Sequence, residues 1–156
     1  MPFWLPYTPC EKQTMKLMQC AAIAVTIAVM TGSGAAAAMT DYKWKYRPLV
    51  IIAADASTPQ LSAQRRKVAA NRSALAERDI VVIWVVGNSV SAEFGPKPRE
   101  SAAALQARFG SPKGDFRAIL VGKDGGTKLT TSSPITADRL YATIDAMPMR
   151  RNEMRR

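Results

Sequence analysis

Catalysis and metal binding draw on a few side-chain types, and this chain lacks most of them. Its 156 residues contain no histidine and two cysteines, Cys10 and Cys20. Without an imidazole there is no Ser-His-Asp triad, no Cys-His pair and no histidine-ligated metal site. What remains is carboxylate, hydroxyl and amine chemistry. The best-placed set is Asp55-Ala56-Ser57-Thr58-Pro59. It follows an apolar run, and clefts in open α/β sheets form at the carboxyl ends of strands. Asp55, Ser57 and Thr58 are therefore the candidate cleft residues. The same segment also reads as an ordinary turn, with Thr58 as N-cap and Pro59 as first helical residue. A serine or threonine hydroxyl there has no histidine base, and a Ser-Lys dyad is the only covalent scheme the composition permits. No carboxylates can be paired from spacing alone, and neither a metal nor a cofactor is expected.

Gly122-Lys123-Asp124-Gly125-Gly126-Thr127-Lys128 invites comparison with a phosphate-binding loop. The spacing is wrong, and a P-loop opens a helix. Here the segment joins two strand-like runs, and Asp-Gly is a favoured hairpin-turn dipeptide.

Charge is the third lead. The chain carries 22 basic and 12 acidic side chains, and residues 39–156 alone carry 20 and 11. Arg65, Arg66, Lys67 and Arg72 cluster in one helical segment, and Arg150 and Arg151 open an arginine-rich tail. If helix and tail share a side, they form one cationic patch suited to an anionic surface. Otherwise these side chains solvate the protein, since net charge does not identify a partner. The partner is unknown; an envelope protein or an anionic surface fits, whereas nucleic acid does not fit an exported protein.

Export is the expectation from residues 1–38. Lys16 precedes an apolar run from Leu17 to Met30, then Thr31-Gly32-Ser33-Gly34 and four alanines. That order is a secretory signal peptide with cleavage near Ala38. The run is short for a span of about 20 residues. Met1 or Met15 is the start, and retention of the segment as an anchor is the alternative to cleavage. Both cysteines leave with the leader, so the mature chain has no thiol. A periplasmic or extracellular location follows.

The elements that must position these residues come from periodicity. Leu49–Ala54 and Ile80–Val86 are continuous apolar runs, as expected of strands buried on both faces. Leu61, Val68 and Leu75 recur every seven residues, predicting one amphipathic helix over about 59–77. Residues 90–99 read as loop, and Ala102, Leu105 and Phe109 mark a short helix stopped by Gly110. Phe116–Val121 and Thr127–Thr131 form a hairpin. Ile135 and Leu140 bracket Thr136 at the start of a closing helix, which Pro148 stops. Tyr42, Trp44 and Tyr46 alternate with cations, predicting a half-buried strand or an extended lead-in, or a strip for stacking on a polymer. Residues 150–156 read as a basic tail with no core-forming pattern. The β-α-β unit followed by a hairpin and a helix predicts an α/β fold: a thioredoxin-like small mixed sheet with flanking helices.

From about Tyr42 to Met149 the chain resembles the family catalogued as domain of unknown function 4174. The likeness rests on Arg47-Pro48-Leu49-Val50, on Leu75-Ala76-Glu77-Arg78-Asp79-Ile80-Val81-Val82, on the Leu120–Leu129 hairpin and on Ile144-Asp145-Ala146-Met147-Pro148-Met149-Arg150-Arg151. It implies a thioredoxin- or peroxiredoxin-related fold in secreted bacterial proteins, with a relative in animal sushi-repeat and matrix proteins, and brings no activity. Thioredoxin-type enzymes need a thiolate where this chain has Asp55–Pro59, which holds no sulfur. Residues 39–149 are therefore expected to be a redox-inactive binding module, secreted or periplasmic. An electrostatic binder of anionic envelope components and a non-thiol enzyme using Asp55 and Ser57 are the alternatives.

Overall fold

The structure, a computed structural model, describes residues 39–110 and 115–155. The expected leader, with Cys10, Cys20 and the Ala38 cleavage position, lies outside these residues, as does Arg156.

The centre of the fold is β1 (Arg47–Ala53), all seven of whose residues are buried. It lies parallel to β2 (Ile80–Val86) on one side and antiparallel to β4 (Phe116–Val121) on the other. The strand β3 (Ser89–Glu93) extends the sheet beyond β2, and β5 (Thr127–Thr131) extends it beyond β4. The order is β3-β2-β1-β4-β5. Helices cover both faces, which is why β1 and β2 are apolar at successive positions. This is the thioredoxin-like mixed sheet that the order of elements predicted.

Alternation along each strand divides the core in two. Leu49, Ile51, Val82, Trp84 and Leu120 meet Leu61 and Val68 of α1 (Pro59–Ala70), Leu75 of α2 (Arg72–Glu77), and Leu140 and Ile144 of α4 (Ala137–Asp145). Val50, Ile52, Ile83, Val85 and Ile119 meet Leu105 of α3 (Ala102–Phe109), together with Met39 and Tyr42.

Four expectations are corrected. The single helix over 59–77 is two helices, α1 and α2, broken at Asn71. The Asn71 amide donates to the Lys67 carbonyl at 2.8 Å, a local bond that competes with the helical ladder. The loop expected over 90–99 begins as β3. Gly87-Asn88 is a two-residue hairpin loop between Val86 and Ser89, with Gly87 at φ +53. The aromatic segment before β1 is a 3-10 turn, Thr40–Tyr42, and not a strand. Tyr42 is buried there, with its hydroxyl donating to the Pro96 carbonyl, while Trp44 is 62% exposed. Burial pushes the Tyr42 phenol up to about 12, helped by Glu100 and Asp41. Finally, Pro148 opens a further helix, α5 (Pro148–Glu153), as first-turn proline. The first residues of the expected basic tail, Arg150 to Glu153, thus belong to a helix.

Candidate functional site

At the carboxyl end of β1 the chain turns through Asp55 into α1. Asp55 Oδ1 accepts from the Ser57 N–H at 2.7 Å and from Ser57 Oγ at 2.5 Å. This is an Asx turn closed by its own hydroxyl. The Ser57 hydroxyl, then its N–H, hold the Asp55 carboxyl below the usual carboxylate range. A depressed pKa makes Asp55 a weak base, and the Ser57 proton is already committed to it. Thr58 is the N-cap residue and Pro59 the first residue of α1, as predicted, yet the Thr58 side chain caps nothing. Its hydroxyl is buried without a hydrogen-bond partner among the described residues. Asp55 and Ser57 are exposed and Thr58 is buried, so the three share a turn but not one exposed surface.

The predicted cationic residues part company. Arg65, Arg66 and Arg72 are exposed and Lys67 is half-buried. From Pro59 to Ala76 the chain has these four cations and no acid. None has an ion-pair partner among the described residues. Arg65 lies 4.9 Å over the Trp84 ring and Arg72 5.1 Å over the Phe94 ring, so aromatic faces orient both guanidinium groups. Arg66 and Lys67 line a shallow depression of about 340 Å³ with Ala63, Ala70 and Asn71. Arg150 does not join them. It is buried, donates to Glu77 Oε1 at 2.8 Å, and has Asp145 Oδ1 at 3.5 Å. Arg151 is exposed, but its guanidinium is bound to the Ala146 carbonyl at 2.7 and 3.1 Å. The single patch of helix and tail is therefore corrected to a patch on α1 and α2, because α5 uses its first arginine for docking.

That docking site was missed from sequence. It lies at the end of the sheet opposite Asp55, where β1 and β2 begin. Arg47 opens β1 with a side chain 1% exposed, donating to Glu153 at 3.0 and 3.1 Å and to the Arg78 carbonyl at 2.9 Å. Lys123, just past β4, donates to Glu153 Oε1 at 2.7 Å and to Asp79 Oδ2 at 2.8 Å. Arg78 donates twice to Asp145, at 3.0 and 3.2 Å, and lies 4.4 Å over the Tyr141 ring. Four cations (Arg47, Arg78, Lys123, Arg150) thus face four carboxylates (Glu77, Asp79, Asp145, Glu153). Arg78 holds the Asp145 carboxyl below its usual range by hydrogen bonding, against its burial. Burial pushes Glu153 up, but Lys123 and Arg47 together outweigh it and leave it lowered. Asp79 adopts φ +52 where the chain leaves α2, a left-handed position that aspartate tolerates better than most residues.

A groove of about 490 Å³ opens beside this cluster, lined by Gly122, Lys123, Lys128, Met147, Pro148 and Met149 among others. Its lysines are committed, Lys123 to the cluster and Lys128 to Asp124 at 2.6 Å. The arrangement clamps α5 to the sheet. No group of three or more potential ligands among the described residues could hold a metal ion.

The family model described as Domain of unknown function (DUF4174) matches residues 38–153. The chain belongs to the DUF4174 family. No curated protein and no solved structure matches it. The DUF4174 match runs to Glu153, the residue that ties α5 to Arg47 and Lys123. Every segment that carried the likeness in sequence supplies the cluster: Arg47, the Glu77-Arg78-Asp79 run, Lys123, and Asp145 with Arg150. That shared membership was the one signal by which sequence pointed at it. No described helix is long and apolar enough to cross a membrane.

Proposed function

We propose that this protein is an exported, redox-inactive thioredoxin-like module that works by binding a partner. One observation carries the reading. The position that holds the thiolate in thioredoxin-type enzymes is here Asp55-Ala56-Ser57-Thr58, a sulfur-free turn whose only acid is tied to its neighbour. A folded, helix-covered sheet without that nucleophile keeps its surfaces for recognition. Export rests on the order of residues 1–38, and N-terminal sequencing of the exported protein tests it. A mature N-terminus near Met39 is expected; one at Met1 or Met15 argues for retention.

The binding role is tested by two experiments on the purified protein. Insulin-reduction and peroxide-consumption assays should equal buffer. Immobilised protein should retain a defined envelope protein at physiological salt. Turnover above background would overturn the reading, as would the absence of any retained protein.

An electrostatic role toward anionic envelope components is the second reading. It is supported by Arg65, Arg66, Lys67 and Arg72, which have no ion-pair partner among the described residues. Retention of acidic polymers or anionic vesicles that is lost between low and physiological salt would favour it.

A further inference from the structure

The sheet has two edges of different character. On β5 the edge carries Lys128, and its pairing with β4 shifts register between Leu120 and Val121. A lysine and a bulge are devices that discourage a further strand. On β3 there is neither. Ser89-Val90-Ser91-Ala92-Glu93 pairs residue for residue with β2 over all five positions, without lysine, arginine or proline. In an antiparallel pair every second residue turns both its N–H and its C=O away from its neighbour, so β3 presents a regular row of donors and acceptors.

The face beside that edge is shaped by charge. Ser89, Ser91 and Glu93 stand opposite Val86, Trp84 and Val82, on the α1–α2 side of the sheet. Arg65 lies over the Trp84 ring and Arg72 over the ring of Phe94, which follows β3. Ser91 of β3 stands opposite Trp84, and Phe94 directly follows β3, so the two rings mark two points near this strand. Two guanidinium groups, each against an aromatic ring and without a carboxylate partner among the described residues, thus lie on the face of the sheet beside the β3 edge.

We propose that the β3 edge is a docking site for an extended acidic polypeptide, which adds a sixth strand and directs alternate carboxylates toward Arg65 and Arg72. Main-chain pairing supplies the geometry, and the arginine pair selects the charge. Glu93 on the same face disfavours an acid directly opposite it, which sets the register. A second copy of this chain suits the edge less well. Antiparallel pairing of β3 with itself brings Arg65 and Arg72 of both copies to one face of the seam.

This inference rests on the binding-module reading and names its partner class. The probe is a capped ten-residue peptide of alternating glutamate and threonine, titrated into the isotopically labelled full-length protein. Amide shifts centred on Ser89–Glu93 are expected. The double variant Arg65→Gln, Arg72→Gln should weaken binding about tenfold, the scale of two partly exposed charge pairs. Two further peptides are N-methylated at odd or at even positions. One should lose binding and the other keep it, because only alternate amides face β3; this arm leaves the protein unaltered. Equal binding by both would mean charge attraction without strand addition, and would overturn the proposal. So would shifts centred on Thr127–Thr131, or self-association through β3 in place of peptide binding. If an envelope protein is retained and the peptide does not compete with it, the edge proposal fails while the binding-module reading stands. Thiol or peroxide turnover would remove that reading whatever the peptide does.

Discussion

Two groups of cations in this molecule meet opposite fates. At the start of β1 and β2, Arg47, Arg78, Lys123 and Arg150 face an equal number of carboxylates, and Arg47 is 1% exposed. On α1 and α2, Arg65, Arg66, Lys67 and Arg72 have no acid between Pro59 and Ala76 and remain at the surface. A charge enters a protein interior only with a partner and further hydrogen bonds, since desolvating it alone costs several kcal/mol. The first group has those partners and clamps a helix. The second has no carboxylate partner among the described residues and stays at the surface, with Arg65 and Arg72 against aromatic rings. Net charge counts both groups alike; geometry separates them.

The most severe way to break this contrast is to remove one partner of the buried group. Glu153→Ala leaves Lys123 with Asp79 alone and Arg47 with the Arg78 carbonyl and a more distant Asp79, and removing one partner of a buried ion pair costs about 3 kcal/mol. Urea denaturation should show that loss, accompanied by release of α5. A change inside experimental error would mean that α5 is held by its apolar contacts and the cluster is incidental.

Acid should produce the same release more gradually. The Asp145 and Glu153 carboxyls are lowered in the folded protein, so the unfolded chain binds more protons in the interval between folded and unfolded values. Their contribution is complete above the unfolded values of about 4 and is lost as pH falls through the folded ones. Stability should therefore drop below about pH 4, and the drop should be smaller in Asp145→Asn. An unchanged acid limb in that variant would remove Asp145 from the account.

On the unpaired group the prediction reverses. Arg66→Gln with Lys67→Gln should leave stability within about 0.5 kcal/mol, as for surface positions without partners. Retention on a sulfated resin should nevertheless weaken, with a shallower dependence on salt. Strong destabilisation would show that these side chains belong with the structural cations after all.

The smallest expected effect lies at the Asp55 turn. Ser57→Ala should not move the melting temperature measurably. It should let the Asp55 carboxyl titrate closer to its ordinary range, because the Ser57 hydroxyl is the main cause of its lowering. Carbon-detected NMR titration reads this directly, and an unchanged Asp55 would mean that the backbone N–H alone holds it down.

Much of the fold was legible because it depends on each residue's neighbours in sequence. The runs around Leu49, Ile80 and Phe116 are apolar because their strands lie between helices, and burial on both faces writes itself into every position. The Asp124-Gly125 turn and the Ile135–Leu140 bracket around Thr136 follow from local backbone chemistry. The absence of thiol and imidazole chemistry downstream of residue 38 needs no coordinates at all. The β3 strand was missed although Gly87-Asn88 is a hairpin signal, because Ser-Val-Ser-Ala-Glu is short and polar on one face.

What only the tertiary structure decided is which charges meet. Arg47 and Glu153 stand 106 residues apart, and Arg150 and Glu77 stand 73 apart. No periodicity relates such positions, and an arginine destined for a buried pair has the same local pattern as one left in water. Arg150 and Arg66 each belong to a run of adjacent basic residues. The fold brings Glu77 and Asp145 to the first and, among the described residues, nothing acidic to the second, and the cost of desolvating an unpaired charge separates the buried from the exposed arginine.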